Sequence, residues 1–193
     1  MKHLTSTACA AILMATSLTQ AHANEFEPAL RDLAEQKIMQ IVNDPAIVAA
    51  IQTRNGETGG MAEDAIIALD NKWRAEVGGG DTPTIDPVLS GAVADMLRAV
   101  RDESEGLFTE IFVMDMVGLN VAASDTTSDY WQGDEAKWQQ TYGAGAGAIH
   151  ISEVELDEST QSYQSQISVA ISDPATNAPI GAATFGVNIE YLE

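Results

Sequence analysis

Apolar positions along this chain change their period once. Between Phe26 and Arg101 they recur as on helices. Phe26, Leu30, Leu33, Ile38, Ile41 and Val42 follow one another mostly three or four residues apart, with one step of five. Asn43-Asp44-Pro45 breaks this helix, and Pro45 is suited to the first position of the next. Ile47, Val48 and Ile51 continue the apolar face until Asn55-Gly56, where the pattern predicts a stop. Met61, Ala65, Leu69 and Trp73 lie four apart and predict one helix stripe, ended by Gly78-Gly79-Gly80. Asp86-Pro87 reads as a cap followed by a first helical residue, and Leu89, Val93, Leu97 and Val100 form the next stripe.

From Leu107 the pattern turns strand-like. Residues Leu107–Met114, Leu119–Ala123, Ala148–Leu156, Tyr163–Ser172 and Ile180–Ile189 predict five strands rich in β-branched and aromatic side chains. Val117-Gly118 supplies the first turn, and Asp173-Pro174 through Pro179 the last. A polar, aromatic insert, Thr126–Tyr142, separates the second strand from the third, with Asp134 as a helix cap. Helices followed by antiparallel strands define an α+β domain. No internal repeat or long linker divides it.

The first residues carry a different signal. Lys2 and His3 precede an apolar stretch from Ala8 to Leu18, and Ala21-His22-Ala23 offers small residues at a cleavage point. This is the charge, apolar, small order of a secretory signal peptide, and the stretch is too short for a membrane-spanning helix. The expectation is residues 1–23 as leader and 24–193 as one exported, periplasmic domain with no membrane insertion after cleavage. Cys9, the one cysteine, falls inside the leader rather than at a lipid-attachment position. The mature chain then enters an oxidising compartment without disulfides and relies on an ordinary core.

Charge narrows the partners. The net charge is −20, with acids dispersed along the chain, so nucleic acid and anionic lipid are repelled.

Two segments carry a family resemblance. "VMDMVGLNVAASDTTSDYWQGDEAKWQQTY" resembles the core of the Cache (PDC, PAS-like) extracellular sensor family, in which a strand ends in Asp, a Gly turn follows, and a Ser-Asp pair leads into a covering loop. "ISVAISDPATNAPIGAATFGVNIEYL" resembles that family's closing hairpin. The resemblance implies a five-stranded antiparallel PAS-like sheet that encloses a small ligand beneath the loop. It implies a lining from Tyr130, Trp131 and Trp138 in the loop and Asp173 at the end of the penultimate strand. Asp129 lies beside them in the implied fold. Where the amino-acid-binding branch carries Arg-x-Trp-Tyr, this chain has Ala136-Lys137-Trp138-Gln139. Family members usually sit between membrane helices of a receptor. Here the implied partner is a separate membrane receptor or sensor kinase.

The candidate residues fit binding chemistry. The tryptophans and tyrosines supply pocket wall, or pack the loop on the sheet, or do both. Asp125, Asp129, Asp134 and Asp173 beside indole faces suit an amine. Lys137, the only Lys or Arg from Gly106 onward, suits a carboxylate if it points inward. The ligand classes are thus an amine, an amino acid or a short carboxylate. Asp134 also reads as a cap and Asp173 as a turn residue.

Materials for catalysis are few. His150 is the only histidine after the leader, and neither a nucleophile elbow nor a metal-ligand set accompanies it. Gly143-Ala-Gly145-Ala-Gly147 lacks the Lys and the helix of a phosphate loop and reads as a turn. No cofactor, catalytic residue or metal site is expected. The alternatives to a ligand-binding sensor module are a protein-interaction subunit without a pocket and a hydrolase built on two carboxylates.

Overall fold

The computed structural model describes residues 24–157 and 162–192. The leader expected over residues 1–23 lies outside them. The chain runs α1 (Glu27–Leu33), a π-helical turn (Ala34–Ile38), α2 (Met39–Val42), α3 (Pro45–Thr58), α4 (Glu63–Val77), α5 (Asp86–Leu89) and α6 (Ala92–Glu103). It continues through β1 (Phe108–Met114), β2 (Asn120–Ala123), α7 (Ala136–Gln139), β3 (Ile149–Ile151), β4 (Glu155–Asp157), β5 (Ser162–Ser172) and β6 (Pro179–Asn188). Among the described residues no helix is long and apolar enough to cross a membrane.

The helical half obeys its pattern, with instructive departures. The π-helical turn takes up the five-residue step between Leu33 and Ile38. Leu30, Ala34, Ile38 and Val42 thereby stay on one buried line. Asp44 caps α3 through the Ala46 amide, 2.7 Å away, with Pro45 at its first position. Asn55-Gly56 does not end α3, which reaches Thr58. The Asn55 side chain instead fastens α3 to the sheet side: it accepts from the Met116 amide at 2.8 Å and donates to the Ile180 carbonyl at 2.7 Å. On α4 the buried line is Ile66, Asp70 and Trp73, while Ala65 is exposed. The stripe is rotated because Asp70 is needed inside as a hydrogen-bond acceptor. Asp86 is the first residue of α5 rather than its cap and accepts from Thr82 Oγ1 at 2.6 Å.

The strands form one antiparallel sheet in the order β2-β1-β6-β5-β3, with β4 also pairing β5. The expected third strand is therefore two short ones. At Ser152 the side-chain Oγ accepts the Gln166 amide at 2.8 Å, so the regular ladder lapses. It resumes at Glu155 opposite Gln164.

Strand alternation gives the sheet two unlike faces. One face presents Ile111, Val113, Ile167, Val169, Ile171, Ala183, Phe185 and Val187 to Leu30, Ala34, Ile38, Ile47, Ile51 and Leu97 of the helices. That is the main core. The other face presents Phe112, Met114 and Ala182, packed with Leu119, Tyr130 and the α4 and α5 residues Ile66, Trp73 and Val88. Along β5 and β6 this second face also carries Gln164, Gln166, Ser168 and Thr184, with Glu110 on β1. The segment between β2 and β3 covers it.

Candidate functional site

The covering segment is fixed at its start by the backbone. Leu119 bridges Trp131 in antiparallel fashion, the Asn120 amide donates to the Tyr130 carbonyl at 3.1 Å, and the Gln132 amide donates to Gly118 at 2.8 Å. The approach is close enough to require glycine on both sides. A Cβ on Gly118, whose φ is +88°, would stand 2.6 Å from Gly133 Cα.

Side chains of α3 and α4 hold the same segment from above. Asp70 accepts from the amides of Tyr130 (2.8 Å) and Trp131 (3.1 Å) and pairs with Arg74 Nε at 2.6 Å. Arg74 reaches on to Asp129 at 3.1 Å. Tyr130 stacks on Trp73, and its hydroxyl accepts from Arg54 Nη2 at 2.8 Å. Burial pushes the Tyr130 phenol above its usual range.

Both candidate indoles turn their N–H inward. Trp131 donates to the Val117 carbonyl at 2.9 Å and Trp138 to the Asp115 carbonyl at 3.1 Å, with Trp138 also stacked on Tyr142. They pack against the cluster of Phe112, Met114, Leu119 and Ala182, and so clamp the cover to the β1–β2 turn. That turn is built by Asp115, which is fully buried. Its carboxylate accepts from the amides of Val117 and Leu119 (both 2.9 Å) and from Thr58 Oγ1 (2.8 Å). Burial still raises its pKa above the ordinary value.

A polar cleft lies one step further along the sheet. A cleft of about 350 Å³ separates Glu135, Ala136 and Lys137 of the cover from His150, Ser152, Glu153, Glu155, Leu156, Asp157, Gln164 and Gln166 of the strands. Its side chains are mostly polar and converge from both walls. Gln164 donates to Asp157 at 2.8 Å, and Gln166 donates to Glu110 at 3.0 Å. Lys137 is drawn in over the sheet, with Nζ 2.9 Å from Glu135, 3.3 Å from Gln132 Oε1 and 5.6 Å from the Phe112 ring centre. Burial drives the Glu110 carboxyl upward, with the attraction of Lys137 and the bond from Gln166 opposing it. Burial alone lowers the His150 imidazole, which favours its neutral form.

Of the six sequence candidates, the structure gathers Tyr130, Trp131, Trp138, Asp129 and Lys137 on the cover. Lys137 is the one that lines the cleft. Asp173 is elsewhere: it sits in the β5–β6 turn against α3, accepting from Gln52 Nε2 (2.7 Å) and the amides of Ala175 and Thr176. Those two amides hold its carboxyl below the usual range. Asp134 is exposed, and Glu135 rather than Asp134 occupies the cap position of α7. The strand residues of the cleft were not candidates. Their signal is the alternation Gln164, Gln166, Ser168 along β5, which marks one polar face. Among the described residues no three His, Cys, Asp or Glu side chains group as a metal site.

The whole is an α+β architecture: one antiparallel sheet with helices packed on both faces and the β2–β3 segment covering part of the second. No family model matches the sequence, and no curated protein matches it. Solved structures similar to the chain include the sensor domain of the V. cholerae histidine kinase DctB, at 10% identity and TM-score 0.40 over 86% of this chain and 58% of that one. The ligand-binding domain of the Pseudomonas aeruginosa PAO1 amino acid chemoreceptor PctC, solved with GABA, is 14% identical with TM-score 0.42 over 84% and 62%. The E. coli DcuS sensor domain is 15% identical with TM-score 0.38 over 67% and 90%. This chain thus spans less than two thirds of the DctB and PctC domains.

Proposed function

We propose that this protein is an exported sensor module that binds a small molecule in the cleft between Lys137 and Gln166 and acts through a separate membrane receptor or sensor kinase. The carrying observation is the cleft itself. About 350 Å³ stand open where polar groups of the cover and of β3, β4 and β5 face each other. The leader-like residues 1–23 support export. Amines, amino acids and short carboxylates are the ligand classes considered.

A thermal-shift screen across those three classes tests this. A ligand at a hundred times its Kd adds about 2.7 kcal/mol of stability, an easily read rise in Tm. The rise should disappear in Gln166→Ala and persist in Gln52→Ala, which lies outside the cleft. A screen in which no compound of any class raises Tm contradicts the reading. That outcome is what the second reading, a protein-interaction subunit, predicts. The inward packing of both indoles favours this alternative.

A further inference from the structure

The cleft sends a lysine where a ligand's charge would be expected to go. Phe112 is almost fully buried on the covered face of the sheet. Lys137 Nζ stands 5.6 Å above that ring, within cation–π range. Two residues earlier on the same strand, and hence on the same face, lies Glu110. Glu110 reaches across β6 to Gln166 through a gap that only glycine leaves: a Cβ on Gly186 would meet Glu110 Cγ at 2.9 Å and Thr109 Oγ1 at 2.3 Å. An aromatic face and a carboxylate together make a seat for an ammonium group.

We propose that Lys137 is a built-in occupant of this seat, and that the ligand of the cleft is an alkylamine whose ammonium group displaces it. The proposal rests on the reading above that the cleft binds a small molecule.

Three features support it. First, among the described residues the ammonium of Lys137 bonds to its own cover, to Glu135 and Gln132, and Glu135 is over a third exposed. Such a pair is weak and holds the ammonium in place only lightly. Second, the lysine stem is flexible and can carry its charge outward to water at little cost. Third, the cleft's other charged walls, Glu135, Glu153, Glu155 and Asp157, are all acidic. They attract an incoming amine and repel an acid. On this account Lys137 competes with the ligand instead of greeting its carboxylate.

Isothermal titration of the full chain with n-butylamine, and separately with butyrate, decides the matter. The account predicts that n-butylamine binds, that Lys137→Gln and Lys137→Met each bind it about tenfold more tightly, and that Glu110→Gln binds it at least about tenfold more weakly. Circular dichroism and Tm of each variant confirm that it is folded. Weaker amine binding in both lysine variants overturns the proposal. So does butyrate binding to the parent protein that both lysine variants lose, an outcome that leaves the cleft as a ligand site. If the parent and both lysine variants bind neither probe, the proposal falls. Whether the cleft binds any small molecule is then settled separately by the thermal-shift screen.

Discussion

Tyr130 lies flat against Trp73, with ring centres 5.0 Å apart and planes 5° from parallel. One ring belongs to the cover and the other to α4, so this stack joins the candidate site to the helical layer. The Tyr130 hydroxyl adds a bond to Arg54 of α3. Arg54 Nε is already a buried atom without a hydrogen-bond partner among the described residues. Tyr130→Phe keeps the stack and orphans a second Arg54 nitrogen. It should cost about 1–2 kcal/mol. Trp73→Ala removes the stack and leaves a large cavity, and should cost about 3–5 kcal/mol. Urea unfolding midpoints measure both, and a Tyr130→Phe midpoint equal to the parent's would show that the hydroxyl bond adds nothing.

Gly133→Ala attacks the cover at its tightest point. The new methyl would lie 2.3 Å from Trp131 Nε1 and 2.8 Å from the Val117 carbonyl, the two partners of one hydrogen bond. The indole must leave. The expected loss is about 1–3 kcal/mol, with tryptophan emission shifted to longer wavelength. Unchanged emission would mean that the indole does not hold this position in solution.

Glu110 and His150 give stability opposite dependences on pH. Folding raises the Glu110 pKa above 4.5, chiefly by burial, so the folded state binds that proton more tightly than the unfolded chain. Its contribution is favourable below 4.5 and is lost as pH rises through the folded value. His150 is lowered from 6.5 by burial. Its contribution is full above 6.5 and is lost as pH falls through the folded value. Glu110→Gln should therefore flatten the decline on the rising side of 4.5, in part only, because Asp115 is shifted the same way. His150→Gln should flatten the decline below 6.5. Chemical denaturation between about pH 4 and 8 measures both. A Glu110→Gln protein whose curve matches the parent's would contradict the burial of that carboxylate.

Asp173 separates turn chemistry from ligand chemistry. Its carboxylate serves the Ala175 and Thr176 amides and Gln52, away from the cleft. Asp173→Ala should lower Tm through a loosened β5–β6 turn and leave the affinity of any cleft ligand within about twofold. A tenfold loss of affinity would place the ligand on the other side of the sheet.

Much of the fold was legible because it follows from period and punctuation. The five-residue step before Ile38, the Asp44-Pro45 start of α3 and the Asp173-Pro174 turn are local features, and local sequence sets them. The misread positions are those where a distant partner decides. Asn55 looked like a helix stop and is a staple to Met116 and Ile180. Asp70, off the stripe of Ala65, Leu69 and Trp73 that the spacing predicts, is buried because two loop amides need it. Ser152 looked like mid-strand and breaks the ladder with its own hydroxyl. The site divides in the same way. An aromatic cover was visible in Tyr130, Trp131 and Trp138, whose composition alone is unusual. That the two indoles point down at the Asp115 turn, leaving Lys137 of the candidates to line the cleft, depends on a register set by Gly118 against Gly133, some fifteen residues apart in sequence.

The central claim is that a guest molecule enters between the cover and β3–β5. Amide chemical-shift mapping of the 15N-labelled protein, titrated with the compound that gives the largest Tm rise, tests it most directly. The account predicts saturable shifts concentrated at residues 135–137, 149–152 and 164–166. Shifts centred on the groove of Leu33, Lys37, Leu107 and Tyr191, or on the Asp173 turn, with residues 135–137 unmoved, would contradict it.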